Sequence, residues 1–133
     1  MKALFDENLS PRLAAAVAAL SDRTMPAVVH LRDRFPAGTT DAAWMSALDP
    51  DDRWIVVSAD LRIRRREKEA AVLQTRGLTG FFLDKGWNAL GLWHHASQFV
   101  RWWPSIVDAA GRARAGEWFV VPNRAVLMAL RME

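Results

Sequence analysis

The chain has 133 residues, 51% of them hydrophobic, which is enough for one compact domain with a core of its own. It has no cysteine, so disulfides, thiolate zinc sites and thiol nucleophiles are excluded, and its net charge of +3 is compatible with a phosphate-rich partner. No apolar run approaches the ~20 residues of a membrane helix and charged residues interrupt the N-terminal segment, so we expect a soluble cytoplasmic protein without a membrane partner.

The first residues predict a strand, an acidic tip and a helix. Residues 3–5 form an apolar run of strand length, and residues 6–8 (D-E-N) end it abruptly. Ser10 and Pro11 are typical of a helix N-cap and of a first helical turn. In open α/β sheets, ligands bind beyond the carboxyl ends of the strands, so this acidic tip faces a functional crevice.

The middle of the chain repeats this pattern. Residues 27–31 predict a second strand, and Thr39 or Thr40 can cap a helix that runs to about residue 48. Residues 54–58 (W-I-V-V-S) are a near-continuous apolar run, typical of a central parallel strand that is buried on both faces.

The second half predicts, in order, a helix over 62–76 ended by Gly77, a strand over 80–83, a long amphipathic helix over 88–114 and a strand over 118–121. Pro104 should kink the long helix or split it in two. The apolar tail from about residue 123 either packs on the domain or serves a partner. The alternation of strands and helices predicts one α/β domain over residues 1–133, a three-layer α/β/α sandwich with a mostly parallel central sheet.

Three carboxylates hold matching positions in this pattern. Asp6 follows the first strand, Asp60 follows the third, and Asp41 opens the helix between them. If the first and third strands are neighbours, Asp6 and Asp60 leave the same edge of the sheet, where Asp41 could complete a cluster. Like charges so close raise one another's pKa unless a cation offsets them, and Mg²⁺ or Mn²⁺ prefers such oxygen ligands.

Each of these acids also has a simpler interpretation, because aspartate after a strand commonly caps a helix or starts a turn. Glu7 is either a second ligand or, as we favour, a solvated charge. Asp84 has a matching position after the fourth strand but could equally pair with Lys85.

A basic segment follows Asp60 almost at once, with Arg62, Arg64, Arg65, Arg66 and Lys68. Arginines beside a metal-binding carboxylate suit a nucleic-acid backbone, and we take Arg62 and Arg65 as candidate substrate-binding residues. The alternative is a solvated helix face on which Arg65 pairs with Glu69. Arg32 and Arg34, after the second strand, are expected at the same edge.

The histidines and most of the seven tryptophans are interpreted as structural. Adjacent His94 and His95 point about 100° apart on a helix and cannot easily share one ion. Trp93 and Trp103 follow the apolar stripe of the long helix, whereas Trp102 lies off it. An exposed Trp102 would be a candidate partner contact.

Three segments carry a family resemblance: L-F-D-E-N-L-S-P at the start, T-T-D-x-x-W at the second helix, and I-V-V-S-A-D-L-R-I-R-R at the third strand. Together they resemble the PIN-like domains of toxin–antitoxin systems, of the VapC type, in a compact variant. The similarity extends to about Trp103 and covers most of the chain.

The resemblance implies a metal-dependent endoribonuclease that an antitoxin protein silences. Asp6, Asp41 and Asp60 would hold Mg²⁺ or Mn²⁺, a metal-bound water would attack the phosphodiester of an RNA substrate, and Ser58 could hold a water or a carboxylate in place. The acid that PIN domains usually carry on a middle helix has no clear counterpart here, which puts a second ion and full activity in question.

Two alternatives remain open. The first is a non-catalytic PIN-like interaction module, which would form half of a complex with a small antitoxin-like partner; whichever function holds, a homodimer also stays open. The second is a phosphotransfer enzyme with Asp6 as nucleophile, which Asn8 disfavours because another aspartate usually stands two residues after the nucleophile.

Overall fold

The structure is a computed structural model and describes residues 1–60, 71–72 and 74–124. Its five strands are β1 (Lys2–Phe5), β2 (Ala27–His30), β3 (Trp54–Ser58), β4 (Thr79–Leu83) and β5 (Trp118–Val121). The helices are α1 (Pro11–Leu20), α2 (Leu31–Arg34), α3 (Asp41–Ala47) and α4 (Leu92–Arg112), with short 3₁₀ turns at Pro50–Asp52 and Lys85–Ala89.

The strands form one sheet in the order β2-β1-β3-β4-β5, and every neighbouring pair is parallel. The first and third strands are therefore neighbours, as the carboxylate hypothesis required. The chain winds outward in opposite directions from β1 and β3, so their carboxyl ends flank the crevice where doubly wound sheets bind ligands.

Both faces of the sheet are covered, and the side chains of β3 alternate between two apolar clusters. Ile55 and Val57 pack with residues of α1 and α4, whereas Trp54 and Val56 pack with residues of α3. All five residues of β3 are buried. This confirms the predicted α/β sandwich with a parallel central sheet, and it confirms that β3 is buried on both faces.

Local sequence signals fix the helix starts. Ser10 caps α1 by accepting a hydrogen bond from the Arg12 N–H at 3.1 Å, and Pro11 occupies the first turn. Thr40 caps α3 by accepting from the Ala43 N–H at 3.2 Å. Gly77 has a φ of 68°, which glycine adopts without steric cost, and it follows helical residues 74 and 75 as predicted.

The long helix differs from the prediction. It begins at Leu92 rather than near residue 88, because Asp84 accepts the Gly86 N–H and caps a 3₁₀ turn over Lys85–Ala89. Pro104 lies inside one continuous helix and does not split it. The predicted helix over 62–76 falls largely on residues that the structure does not describe, and so does the tail beyond Arg124.

The tryptophans of α4 correct two predictions. Trp102 is only 3% exposed, and its indole Nε1 donates to the Arg124 carbonyl oxygen at 2.8 Å, so it is a core residue and not an exposed partner contact. Trp93, predicted on the buried stripe, is 87% exposed. Trp103 is buried as predicted. No helix among the described residues combines the length and the apolar character that crossing a bilayer requires.

Candidate active site

The predicted carboxylates lie at the carboxyl ends of the central strands, which we call the acidic edge and define by Asp6, Asp41 and Asp60. Asp6 directly follows β1, and Asp60 follows β3 after one intervening residue. Asp41 is the first residue of α3. The edge therefore coincides with the point between β1 and β3 where the winding of the sheet reverses.

Asp6 is the buried centre of this edge, with 2% of its surface exposed. Its Oδ2 accepts the Ser58 hydroxyl at 2.9 Å and its Oδ1 accepts the Glu7 N–H at 2.7 Å. The parallel register explains the first contact, since Phe5 pairs with Val57 and the next residues along each strand, Asp6 and Ser58, lie side by side. The Asp6 N–H continues this ladder to the Val57 carbonyl oxygen at 2.9 Å.

Burial dominates the protonation of Asp6. The pKa of the Asp6 carboxyl is raised from 3.8 to about 6, mainly because burial removes its hydration, and to a smaller extent because Asp41 and Glu7 are negatively charged. The hydrogen bonds from Ser58 and from the Glu7 N–H act in the opposite direction, since they favour the charged form. Asp6 is thus a carboxylate that the fold holds at a cost, and such groups are concentrated at functional sites.

Asp41 lies close enough to Asp6 to act on it electrostatically. The neighbouring Thr40 caps α3, so Asp41 is not the cap that its position in the sequence would allow. Its Oδ1 accepts the Trp44 indole N–H at 3.1 Å, which orients the half-buried carboxylate through a fully buried ring.

Ser58 connects Asp6 to the segment that carries Asp60. Its buried Oγ donates to Asp6 and also accepts the Asp60 N–H at 2.9 Å. The Asn8 side chain makes a second bridge between the two strand ends, because its Oδ1 accepts the Ala59 N–H at 3.1 Å. Ser58 therefore positions a carboxylate, one of the two roles expected for it, and is too buried to bind a substrate directly.

The Ser58→Ala substitution is expected to raise the pKa of Asp6 above 6, because it removes the side-chain hydrogen bond that favours the charged carboxylate. Loss of the two hydrogen bonds of Ser58, one buried and one partly buried, should also lower the free energy of unfolding by about 1–3 kcal/mol. Carbon-detected NMR titration of the Asp6 carboxyl measures the pKa, with exposed Ser46→Ala as the matched control. An unchanged or lower Asp6 pKa would contradict the assigned role of Ser58.

Within residues 1–60, 71–72 and 74–124, no group of three or more histidine, aspartate or glutamate side chains is arranged to hold a metal ion. The expectation that Asp6, Asp41 and Asp60 form a ready-made three-ligand site is therefore not met in this structure. The Asp6 oxygens accept hydrogen bonds from Ser58 and Glu7, and an Asp41 oxygen accepts one from Trp44.

A glutamate–arginine pair borders the acidic edge and was not foreseen. Glu7 is exposed, in agreement with the solvated charge that the sequence favoured, and it forms an ion pair with Arg32. Both residues stand two positions beyond the Phe5–His30 register pair of adjacent parallel strands. The two charges were visible in the sequence, but the pairing required the strand order.

His30 is structural, as predicted, because its ring connects the loop after β1 to the start of α2. Its Nε2 donates to the Leu9 carbonyl oxygen at 2.8 Å, and its Nδ1 accepts the Arg32 N–H at 3.1 Å. Both ring nitrogens are used, so His30 has no nitrogen left to bind a metal ion.

Of the predicted basic residues, Arg32 lies at the acidic edge and Arg34 does not. The guanidinium of Arg34 stacks 5.0 Å from the ring centre of Trp54, the first residue of β3. Arg62 and Arg65 lie outside the described residues. Asp84 is structural, because its oxygens accept the Gly86 and Asn123 N–H groups, both at 3.0 Å.

Comparison with protein-family models gives a match to the PIN-like domain over residues 1–85. This segment contains all three residues of the acidic edge, together with Ser58 and the Glu7–Arg32 pair. Neither the curated proteins nor the solved structures include a significant match to the chain.

Proposed function

Because the chain belongs to the PIN-like domain family, we propose that it is a metal-dependent nuclease that hydrolyses RNA phosphodiesters at the acidic edge. The observation that carries the proposal is Asp6, a carboxylate that is 2% exposed and has its pKa raised to about 6 at the carboxyl end of the central strand. A buried carboxylate of this kind does not stabilise a hydrophobic core, whereas it can bind a cation.

The donor chemistry of the edge fits a hard divalent ion. Mg²⁺ in proteins is commonly held by one or two carboxylates, several waters and substrate phosphates, so a three-carboxylate cage is not required. In our proposal Asp6 and Asp41 hold Mg²⁺ or Mn²⁺, and Asp60 is the third carboxylate of the set. A bound ion would neutralise charge on the phosphodiester and lower the pKa of a water.

The protein residues have separate parts in this proposal. Ser58 holds Asp6 in its charged form through the hydrogen bond to Oδ2. Arg32, at the rim of the edge, can exchange Glu7 for a phosphate oxygen, since its present ion pair is partly exposed. Arg62 and Arg65 extend the proposed contact to the RNA backbone.

We further propose that the nuclease is the toxin of a type II toxin–antitoxin pair, acting on RNA in the cytoplasm and silenced by a cognate antitoxin protein. The support is the sequence resemblance to toxins of this kind. The test is direct: the chain should cut RNA with Mn²⁺ and not with chelator, and no cleavage of any RNA under either condition would contradict the proposal.

Binding of Mn²⁺ should depend on pH. Thermal melting at pH 8 should shift upward with Mn²⁺, because a ligand that binds the folded state stabilises it. At pH 5 the shift should be much smaller, since Asp6, with a pKa of about 6, is then mostly protonated. The Asp6→Asn variant should respond at neither pH. Equal shifts of the parent protein at both pH values would show that Mn²⁺ binds elsewhere.

A non-catalytic PIN-like interaction module is the second candidate. Leu92 and Trp93, at the start of α4, are 47% and 87% exposed, which suits a surface that another protein covers. This function would be preferred if the purified chain bound a partner but Mn²⁺ neither stabilised it nor supported RNA cleavage.

A further inference from the structure

Trp44 connects the acidic edge to the interior of the protein. It lies three residues after Asp41 on α3, so the two side chains share one side of the helix. The indole Nε1 of Trp44 donates to Asp41 Oδ1 at 3.1 Å. The ring is fully buried, whereas Asp41 is half-buried. The hydrogen bond therefore joins the core to a carboxylate of the acidic edge.

The ring of Trp44 is held in place by its surroundings. It belongs to the apolar cluster that also contains Leu4 of β1, Val56 of β3 and Phe82 of β4. The backbone N–H of Trp44 donates to the Thr40 carbonyl oxygen at 3.1 Å, which fixes the first turn of α3. Side chains in a close-packed interior occupy defined rotamers. The indole N–H is therefore a donor of fixed direction.

The acceptor of this hydrogen bond is a carboxylate, unlike the acceptors of three other buried tryptophans. Trp87 and Trp102 donate to backbone carbonyl oxygens at 3.0 and 2.8 Å, and Trp103 donates to a serine hydroxyl at 3.0 Å. A hydrogen bond to an ionised group is roughly twice as strong as one between neutral groups. Thr40 already caps α3, so capping of the helix does not explain why Trp44 has an aspartate as its acceptor.

A carboxylate that binds a metal ion works best in a fixed orientation, and carboxylate ligands in proteins are commonly held by hydrogen bonds from neighbouring groups. Asp41 acts electrostatically on Asp6, and Asp6 accepts the Ser58 hydroxyl at 2.9 Å. Each of these two carboxylates is thus oriented by an uncharged side-chain donor, the hydroxyl of β3 for Asp6 and the indole of α3 for Asp41.

We propose that Trp44 is a positioning residue of the acidic edge, whose indole N–H holds Asp41 in the orientation that binds Mg²⁺ or Mn²⁺. This inference rests on the proposed function, because it takes Asp41 as a ligand of the ion. Trp44 itself contacts neither the ion nor RNA, since its ring is fully buried. The packing of the apolar cluster at α3 therefore contributes to the metal affinity of the acidic edge.

Trp44→Phe tests this role, because it keeps an aromatic ring in the cluster and removes the N–H donor. Trp103→Phe is the matched control. It also removes an indole donor from the core, but the acceptor is Ser21, at the opposite end of α1 from the loop that carries Asp6. Electron paramagnetic resonance of free Mn²⁺ at pH 8 measures the dissociation constant. Trp44→Phe should bind Mn²⁺ about tenfold or more weakly than the parent protein, and Trp103→Phe should bind it equally well.

A second measurement uses the parent protein and so does not depend on the folding of a variant. The NMR signal of the Trp44 indole N–H should move when Mg²⁺ is added, because the ion draws charge from the carboxylate that accepts the hydrogen bond, and the signal of Trp103 should not move. A Trp44 signal unchanged at saturating Mg²⁺, or equal Mn²⁺ affinities of Trp44→Phe and Trp103→Phe, would overturn the positioning role and leave the proposed function standing. A parent protein that binds no Mn²⁺ would contradict the proposed function, and this inference with it.

Discussion

The Asp6→Asn variant is expected to cleave no RNA and, in chelator at pH 7.5, to be more stable than the parent protein by about 3 kcal/mol. The gain follows from the pKa of Asp6, which burial raises from 3.8 to about 6. The folded state binds this proton more tightly than the unfolded state does, so ionisation of Asp6 above pH 6 costs stability that asparagine does not lose. The amide can still accept the Glu7 N–H and donate to the Ser58 oxygen.

The stability difference between Asp6→Asn and the parent protein should depend on pH. Below about pH 3.8 Asp6 is protonated in both states and contributes no penalty. The penalty grows as the pH rises through 6 and is complete above it, so the stability difference between variant and parent should open over this interval. Urea unfolding at pH 4, 5, 6 and 7.5 measures it.

Asp84→Asn is the matched control, because Asp84 also follows a strand at the same end of the sheet. Both of its oxygens accept backbone N–H groups, so this variant should be less stable than the parent while keeping its cleavage activity. If Asp6→Asn lost stability at pH 7.5 to the same extent as Asp84→Asn, Asp6 would be an ordinary structural carboxylate. Cleavage by Asp6→Asn at the parent's rate would contradict the proposed catalytic site.

The Phe99→Ala variant is expected to lose about 3–5 kcal/mol of unfolding free energy, a large part of the total for a domain of this size. Phe99 is fully buried, and its ring lies 5.3 Å from that of Phe5, 6.2 Å from Trp87 and 6.0 Å from Trp103. Together with Trp103, whose ring lies 5.7 Å from that of Phe5, it packs α4 against β1, the strand that ends at Asp6. Removing the ring leaves a cavity that these rigid neighbours cannot fill.

Phe99→Leu keeps most of the buried volume and should lose less than half as much stability. Equilibrium urea unfolding of both variants at pH 5, where Asp6 is mostly protonated, separates the packing effect from the carboxylate effect. A loss below 1 kcal/mol for Phe99→Ala would show that the aromatic cluster is not the support of α4 described here.

The sequence patterns predicted those parts of the fold that depend on local chemistry. The strand predicted from the apolar run at Trp54–Ser58 and the helix cap predicted at Thr40 were both confirmed. Burial on two faces and N-terminal capping each require particular residue types at neighbouring positions, so both can be recognised from a short stretch of sequence. The predicted helix start near residue 88 was wrong, since Asp84 caps a 3₁₀ turn instead. The prediction that Trp102 is exposed was wrong, because the buried face of α4 is wider than its main apolar stripe. The segment at Arg124 covers the part of this face that carries Trp102.

The candidate site shows the same division. Asp6 could be identified from the sequence, because it is an acid that directly follows a strand-length apolar run. Its hydrogen bond to Ser58 depends on the β1–β3 register, and the Glu7–Arg32 pair depends on the β1–β2 register.

β5, an outer strand of the sheet, covers the edge of β4, the last strand of the segment that identifies the family. Residues 1–85 match the PIN-like domain, yet Phe81 of β4 stacks on Phe119 of β5 at 4.8 Å, and all five residues of β4 are buried. A chain ended at residue 85 would expose β4 as a long apolar outer strand with unpaired backbone groups, a template for self-association. The recognisable part of the protein thus depends on residues 86–124 for its solubility and is not a unit that could be excised or grafted onto another protein.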